Sequence, residues 1–157
     1  MIDGRLVVTG VQPPAHQAAV VALMVQLKQG CPSDLLVSVG SLDFRPSRGL
    51  SLRPDILVTS RADAGPQYVR QALLAVEVLS PTTRVTDVVT KRELYAQHGV
   101  PAYWLLDPDR QELTILHLTI LHLTTTHYTC QALLQGEETF HATTPFPLVL
   151  SPAALAG

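Results

Sequence analysis

Arg53-Pro54-Asp55-Ile56-Leu57-Val58 and, further on, Leu74-Ala75-Val76-Glu77-Val78-Leu79-Ser80-Pro81-Thr82 decide how this chain is read. Each holds a short apolar run of strand-forming residues with one carboxylate in it. Asp55 stands near the start of the first run and Glu77 inside the second. A charge buried in hydrocarbon is costly unless it is paired or bound to a metal. By strand alternation Asp55 shares a face with Leu57, and Glu77 shares one with Leu73, Ala75 and Leu79. If the strands are neighbours, both carboxylates converge on one spot, and hard oxygen ligands of this kind suit Mg²⁺ or Mn²⁺. That pair would form the core of a metal-dependent phosphodiesterase site. The simpler alternatives are an Asp that makes a turn at a strand start and a Glu paired with an arginine such as Arg53.

Working outward, Arg5 to Thr9 reads as an opening strand. Ala15 to Gln29 reads as a helix with Val20, Leu23, Met24 and Leu27 on one buried stripe, stopped at Gly30. Asp34 to Val39 is expected as a strand and Phe44 to Leu50 as loop. Pro54 to Thr59 and Leu73 to Leu79 follow as central strands, the second apolar on both faces. Thr82 to Thr86 is a polar loop, and Asp87 to His98 is helical, ended by Gly99 with Pro101 beyond. Ala102 to Leu106 and Glu112 to Leu123 are strands separated by an Asp107-Pro108-Asp109-Arg110 turn. Tyr103 and Trp104 are expected in the core. Phe146 to Leu150 closes the chain as an edge strand. The order predicts a mixed α/β fold, a sheet flanked by two helices, in one domain over residues 1–157.

Composition narrows the function classes. The chain has 157 residues, 46% hydrophobic and 15% charged, which excludes a disordered polymer. No apolar run reaches the ~18 residues that span a bilayer, and Met1 to Arg5 lacks a signal-peptide pattern. A soluble cytoplasmic protein is expected. Cys31 and Cys130 form no CxxC pair and read as buried or half-buried free thiols rather than zinc ligands. Net charge is −2, yet the window from Arg45 to Arg92 holds eight Lys and Arg against Asp55, Asp63, Glu77 and Asp87. Polyanion binding stays open beside ordinary solvated charge.

Thr114-Ile115-Leu116-His117-Leu118 is repeated at once as Thr119-Ile120-Leu121-His122-Leu123. A five-residue period is odd, so in a regular strand the two copies face opposite sides. His117 and His122 therefore cannot share a site without a bulge, and slippage lengthening a hairpin is the preferred reading.

Asp87, Lys91 and Tyr95 recur at helical spacing and share a face. That face is either a surface ion pair or one turned to the sheet, where Lys91 would position water or offset phosphate charge. His16, after Pro13-Pro14, reads as a surface hydrogen-bonding group or as a neighbour of the site.

At these residues the chain resembles a known family. RPDI, AVEVLSPTT and DVVTKRELYAQHGVPAYWLLDP are similar to the Uma-type restriction-endonuclease-like family of the PD-(D/E)XK nuclease superfamily, with further likeness at Pro13 to His16 and Pro147 to Leu150. The resemblance implies an α-β-β-β-α-β restriction-endonuclease-like core with a mixed central sheet and extra C-terminal strands. It implies Asp55, Glu77 and the Val78 backbone carbonyl as ligands of Mg²⁺ or Mn²⁺. Asp55, Glu77 and Lys91 would be catalytic, with Asp87, Tyr95 and His16 in support. Two departures stand out. Leu79 occupies the superfamily's usual lysine position, which shifts that role to Lys91. The first helix has no acid, leaving His16, Gln17 or Gln26 as its polar candidates; the resemblance also leads one to expect a helix ahead of Asp3-Gly4.

The expectation is a Mg²⁺- or Mn²⁺-dependent endonuclease that hydrolyses DNA as a homodimer, with no membrane partner. A catalytically silent nuclease-fold module binding nucleic acid or a protein is the alternative. A hydrolase of smaller phosphoesters is the third.

Overall fold

The computed structural model describes residues 11–121 and 125–156. The strand expected at Arg5 to Thr9 and the second repeat histidine, His122, lie outside them. Helix α1 spans Pro14–Gly30, with proline in its first turn, where a missing N–H leaves no bond unmade. The strands are β1 Leu35–Val39, β2 Asp43–Phe44, β3 Ile56–Ser60, β4 Tyr68–Val69, β5 Leu74–Val78, β6 Ala102–Asp107, β7 Glu112–Leu121, β8 Thr125–Gln135, β9 Phe140–Ala142 and β10 Leu148–Leu150. Between β5 and β6 a π-helical turn, Thr86–Lys91, runs into α2, Arg92–Gln97; a short α3, Pro152–Leu155, follows β10.

Six strands form one mixed sheet in the order β1-β3-β5-β6-β7-β8. β3 is antiparallel to β5, and β5 is parallel to β6. A parallel neighbour requires a crossover, which the π turn and α2 supply. The central strands alternate between two cores. Ile56, Val58, Leu74, Val76, Val78, Ala102 and Trp104 pack toward Ala19, Val20, Leu23 and Leu27 of α1. Leu57, Ala75, Leu79, Tyr103 and Leu105 pack on the other face with Tyr95 and Ala96 of α2. β5 is buried at all five positions, as its unbroken apolar reading anticipates. The sheet with a helix on each face and further strands after β6 is the mixed α/β arrangement expected from the sequence.

Several expectations are corrected. Phe44 is not loop: Asp43 and Phe44 pair with Tyr68 and Val69 of β4 in a separate two-stranded sheet. The final strand begins at Leu148 and pairs with β9 rather than edging the main sheet. Cys31 is partly buried, but Cys130 is exposed on edge strand β8. The segment 87–98 opens as a π turn rather than a regular helix, and Gly99 ends it with φ +72°, a conformation that favours glycine.

The duplicated pentapeptide follows the parity argument. β7 continues without a break through Leu121, and its one register irregularity, at Ile115/Leu116, skips Gln131 on the partner strand. Ile115 is therefore 2% exposed while its copy Ile120 is 67% exposed.

Candidate active site

The two carboxylates meet where β3 begins and β5 ends. Asp55 immediately precedes β3, and the β3–β5 register opposes Ile56 to Val76, so one further step sets Asp55 against Glu77. The backbone N–H of Val78 donates to Asp55 Oδ2 at 2.7 Å, tying the Asp55 side chain to β5. Its other oxygen lies 3.3 Å from His16 Nε2. Asp55 keeps 26% of its side-chain exposure, so it is the carboxylate of this group open to solvent.

Glu77 is buried on the α2 face of the sheet. Tyr95 Oη donates to its Oε1 at 3.0 Å, and Lys91 Nζ lies 2.8 Å from its Oε2. Lys91 Nζ also lies 2.8 Å from Asp87 Oδ1. Asp87 is buried too, and Tyr103 Oη donates to its backbone oxygen at 2.9 Å. The π turn carries both Asp87 and Lys91. Such wider turns add a residue to the helical ladder and recur at functional sites. Here the turn sets the ammonium between two carboxylates instead of on the surface. Glu77 is thus not paired with Arg53, which goes to Asp43.

Electrostatics follow from burial. Desolvation pushes the Glu77 carboxyl up to about 8; Lys91 opposes the shift, while the charges of Asp87 and Asp55 reinforce it. Burial alone would lower Lys91, but Glu77 and Asp87 outweigh it and hold the ammonium well above its ordinary value. The phenols of Tyr95 and Tyr103 are raised well above the usual range, by burial first and then by Glu77, so both remain donors. With every acid ionised, three carboxylates against one ammonium leave two negative charges in a largely enclosed cluster.

That excess, and the hard oxygen chemistry of the donors, fit a divalent cation. Among the described residues no group of three or more His, Cys, Asp or Glu side chains has metal-ligand spacing. The carboxylates that the β3–β5 register sets side by side are Asp55 and Glu77, and an ion between them would take its remaining ligands from backbone oxygen and water. Each carboxylate oxygen of Glu77 has one partner here and, having two lone pairs, retains a second.

The structure thus gathers Asp55, Glu77, Val78, Asp87, Lys91, Tyr95 and His16. His16 is not a surface group: it is 2% exposed on the inner stripe of α1. Of the polar residues on that helix, it is the one with a contact to Asp55. Leu79, at the usual lysine position, is buried in the α2-side core. Sequence reasoning missed Tyr103 as a support for Asp87. The available signal was a mid-strand tyrosine, whose hydroxyl needs a partner when buried.

Comparison with known proteins adds family and fold. The model of the Uma2 family, described as "Putative restriction endonuclease", matches residues 1–155. A crystal structure described as "a putative nuclease belonging to DUF820" from Anabaena variabilis ATCC 29413 superposes with a TM-score of 0.65 at 20% identity, covering 99% of this chain and 87% of that one. No curated protein matches the chain.

Proposed function

The chain belongs to the Uma2 family, and from that premise we propose that it is a Mg²⁺- or Mn²⁺-dependent endonuclease that hydrolyses DNA phosphodiesters at the Asp55–Glu77 site. The observation that carries this reading is that Asp55, open to solvent, lies beside Glu77, whose carboxylate shares the Lys91 ammonium with Asp87. A divalent cation bound there would supply Lewis-acid polarisation of the phosphodiester and a more acidic water.

The side chains have distinct tasks. Asp55 and Glu77 would hold the cation, with the Val78 carbonyl as a third oxygen. The Val78 N–H and His16 fix the rotamer of Asp55 from two directions. Tyr95 and Lys91 orient Glu77 from two more. Lys91 keeps its proton beside the carboxylates, so it acts as a fixed positive charge that draws phosphate and positions water. Asp87 steadies Lys91 in turn. One site cuts one strand, so a two-fold homodimer is the simplest assembly for cleaving a duplex. We treat residues 1–157 as one domain.

A silent nucleic-acid-binding module is the second reading. It is favoured by Leu79 at the usual lysine position and by a Lys91 already engaged with two carboxylates.

Incubation with supercoiled plasmid separates the two. Nicking is expected with Mn²⁺ or Mg²⁺, is expected to stop with chelator, and is expected to be lost in Glu77→Gln. A wild type that binds the plasmid but leaves it intact with both cations would transfer the chain to the silent class.

A further inference from the structure

A second built constellation adjoins the site without being part of it. Asp43 of β2 is buried, and it is surrounded by donors. Arg53 Nε donates to its Oδ1 at 2.7 Å, Arg45 Nε to its Oδ2 at 3.1 Å, and Ser51 Oγ to Oδ2 at 3.0 Å. Burial would raise the Asp43 carboxyl, but Arg53, Arg45 and Ser51 outweigh it and hold it below its ordinary value. One carboxylate between two guanidiniums leaves one positive charge.

That charge faces outward. The Arg45 and Arg53 side chains are 42% and 63% exposed while anchored at their inner edges. Arg53 contacts Asp43 through Nε, so its two terminal nitrogens stay open to solvent among the described residues. Arg45 is further steadied over the Tyr68 ring, its Cζ 5.3 Å from the centroid. Tyr68 is itself partly exposed. An arginine held at one edge loses less side-chain entropy when its other edge binds, which suits planar recognition of phosphate.

The position is equally telling. Arg53 lies two residues before Asp55, so their Cα atoms are at most about 7 Å apart. DNA carries one phosphate per ~3.4 Å of axis in each strand, so a strand with one phosphate at Asp55 brings its neighbours within reach of this pair. We infer that Arg45 and Arg53, mounted on Asp43 and backed by Tyr68, form a clamp for the phosphodiester backbone of the strand entering the Asp55–Glu77 site. The inference rests on the nucleic-acid reading above. It makes both arginines substrate-positioning residues with no part in the chemistry.

The test is fluorescence anisotropy with a labelled DNA duplex in EDTA, over a series of salt concentrations. The proteins are wild type, Arg45→Gln, Arg53→Gln and the Lys variant at each position. Each single variant leaves Asp43 paired with the remaining arginine, so the fold is retained. The log-affinity against log-salt slope is expected to lose about one unit per Gln substitution, equally for unrelated sequences. Lys is expected to restore it, and the Gln variants are expected to need more DNA to reach half-maximal nicking. A purely structural role for the arginines would not move the slope. Unchanged slopes with a wild type that binds and nicks DNA would overturn the clamp and leave the nuclease reading standing. Slope loss in a protein that never nicks would support the clamp and remove the nuclease reading. A wild type that binds no duplex, or slope loss on duplex RNA alone, would overturn the clamp.

Discussion

Replacing Lys91 by Met is expected to destabilise the protein by about 3–5 kcal/mol at pH 8, because it strips the counter-charge from a buried group. Lys91 Nζ lies 2.8 Å from both Glu77 Oε2 and Asp87 Oδ1. Methionine fills the same volume without the charge, so the loss reports electrostatics more than packing. Urea unfolding at pH 8 and pH 5 measures it. The deficit is expected to shrink at pH 5, where Glu77 is protonated in both proteins, and to shrink again at pH 8 in the Lys91→Met/Glu77→Gln double variant. The variant is also expected to nick DNA about 10²–10³-fold more slowly even when folded, the usual cost of removing a fixed charge aimed at the reacting group. An equal deficit at both pH values would show that the Lys91–Glu77 pair does not carry the loss.

Metal-free wild type is expected to lose stability as pH rises from about 5 to about 8. Desolvation raises Glu77 from 4.5 in the unfolded chain to about 8 in the folded one. Between those values the native state binds more protons than the unfolded state, so stability falls with rising pH. The benefit of the neutral acid is complete below the unfolded value and gone above the folded one. At about 1.4 kcal/mol per pKa unit, the change is on the order of 3–5 kcal/mol across the window. Glu77→Gln cannot ionise and is expected to flatten this limb of the profile. Mn²⁺ is expected to restore stability to the wild type at pH 8, since a ligand bound only to the native state stabilises it by mass action, and to leave Glu77→Gln unmoved. Denaturant midpoints from pH 5 to 9, with and without Mn²⁺, check both effects. A wild-type midpoint that rises with pH over this range would contradict the assignment of Glu77 as a desolvated acid.

Much of this arrangement was legible in the sequence because period and charge agree there. The all-apolar run around Glu77 predicted a strand covered on both faces, and β5 is buried throughout. The spacing of Asp87, Lys91 and Tyr95 predicted one shared face, and all three converge on one cluster. What failed to show was set by tertiary contact. His16 looked like a surface residue at a helix start, and its burial follows from how α1 lies on the sheet near Asp55. The π turn left no mark, since its extra residue depends on packing rather than on local propensity. β8 was missed although His127-Tyr128-Thr129-Cys130-Gln131 alternates polar with apolar; the run holds only two apolar residues, and pairing with β7 makes it a strand. The meeting of Asp43, Arg45 and Arg53 did not show in the sequence, where Arg53 stood as a possible partner of Glu77, because it requires the Phe44–Leu52 bridge, which no short-range pattern encodes.

The central claim is that Asp55 and Glu77 together hold a divalent cation. Calorimetric titration of Mn²⁺ at pH 8 into wild type, Asp55→Asn and Glu77→Gln, each with and without duplex DNA, tests it most directly. The account predicts binding in the wild type that disappears in both variants. Binding that survives in either variant, or a wild type that takes up no Mn²⁺ even with DNA present, would contradict it.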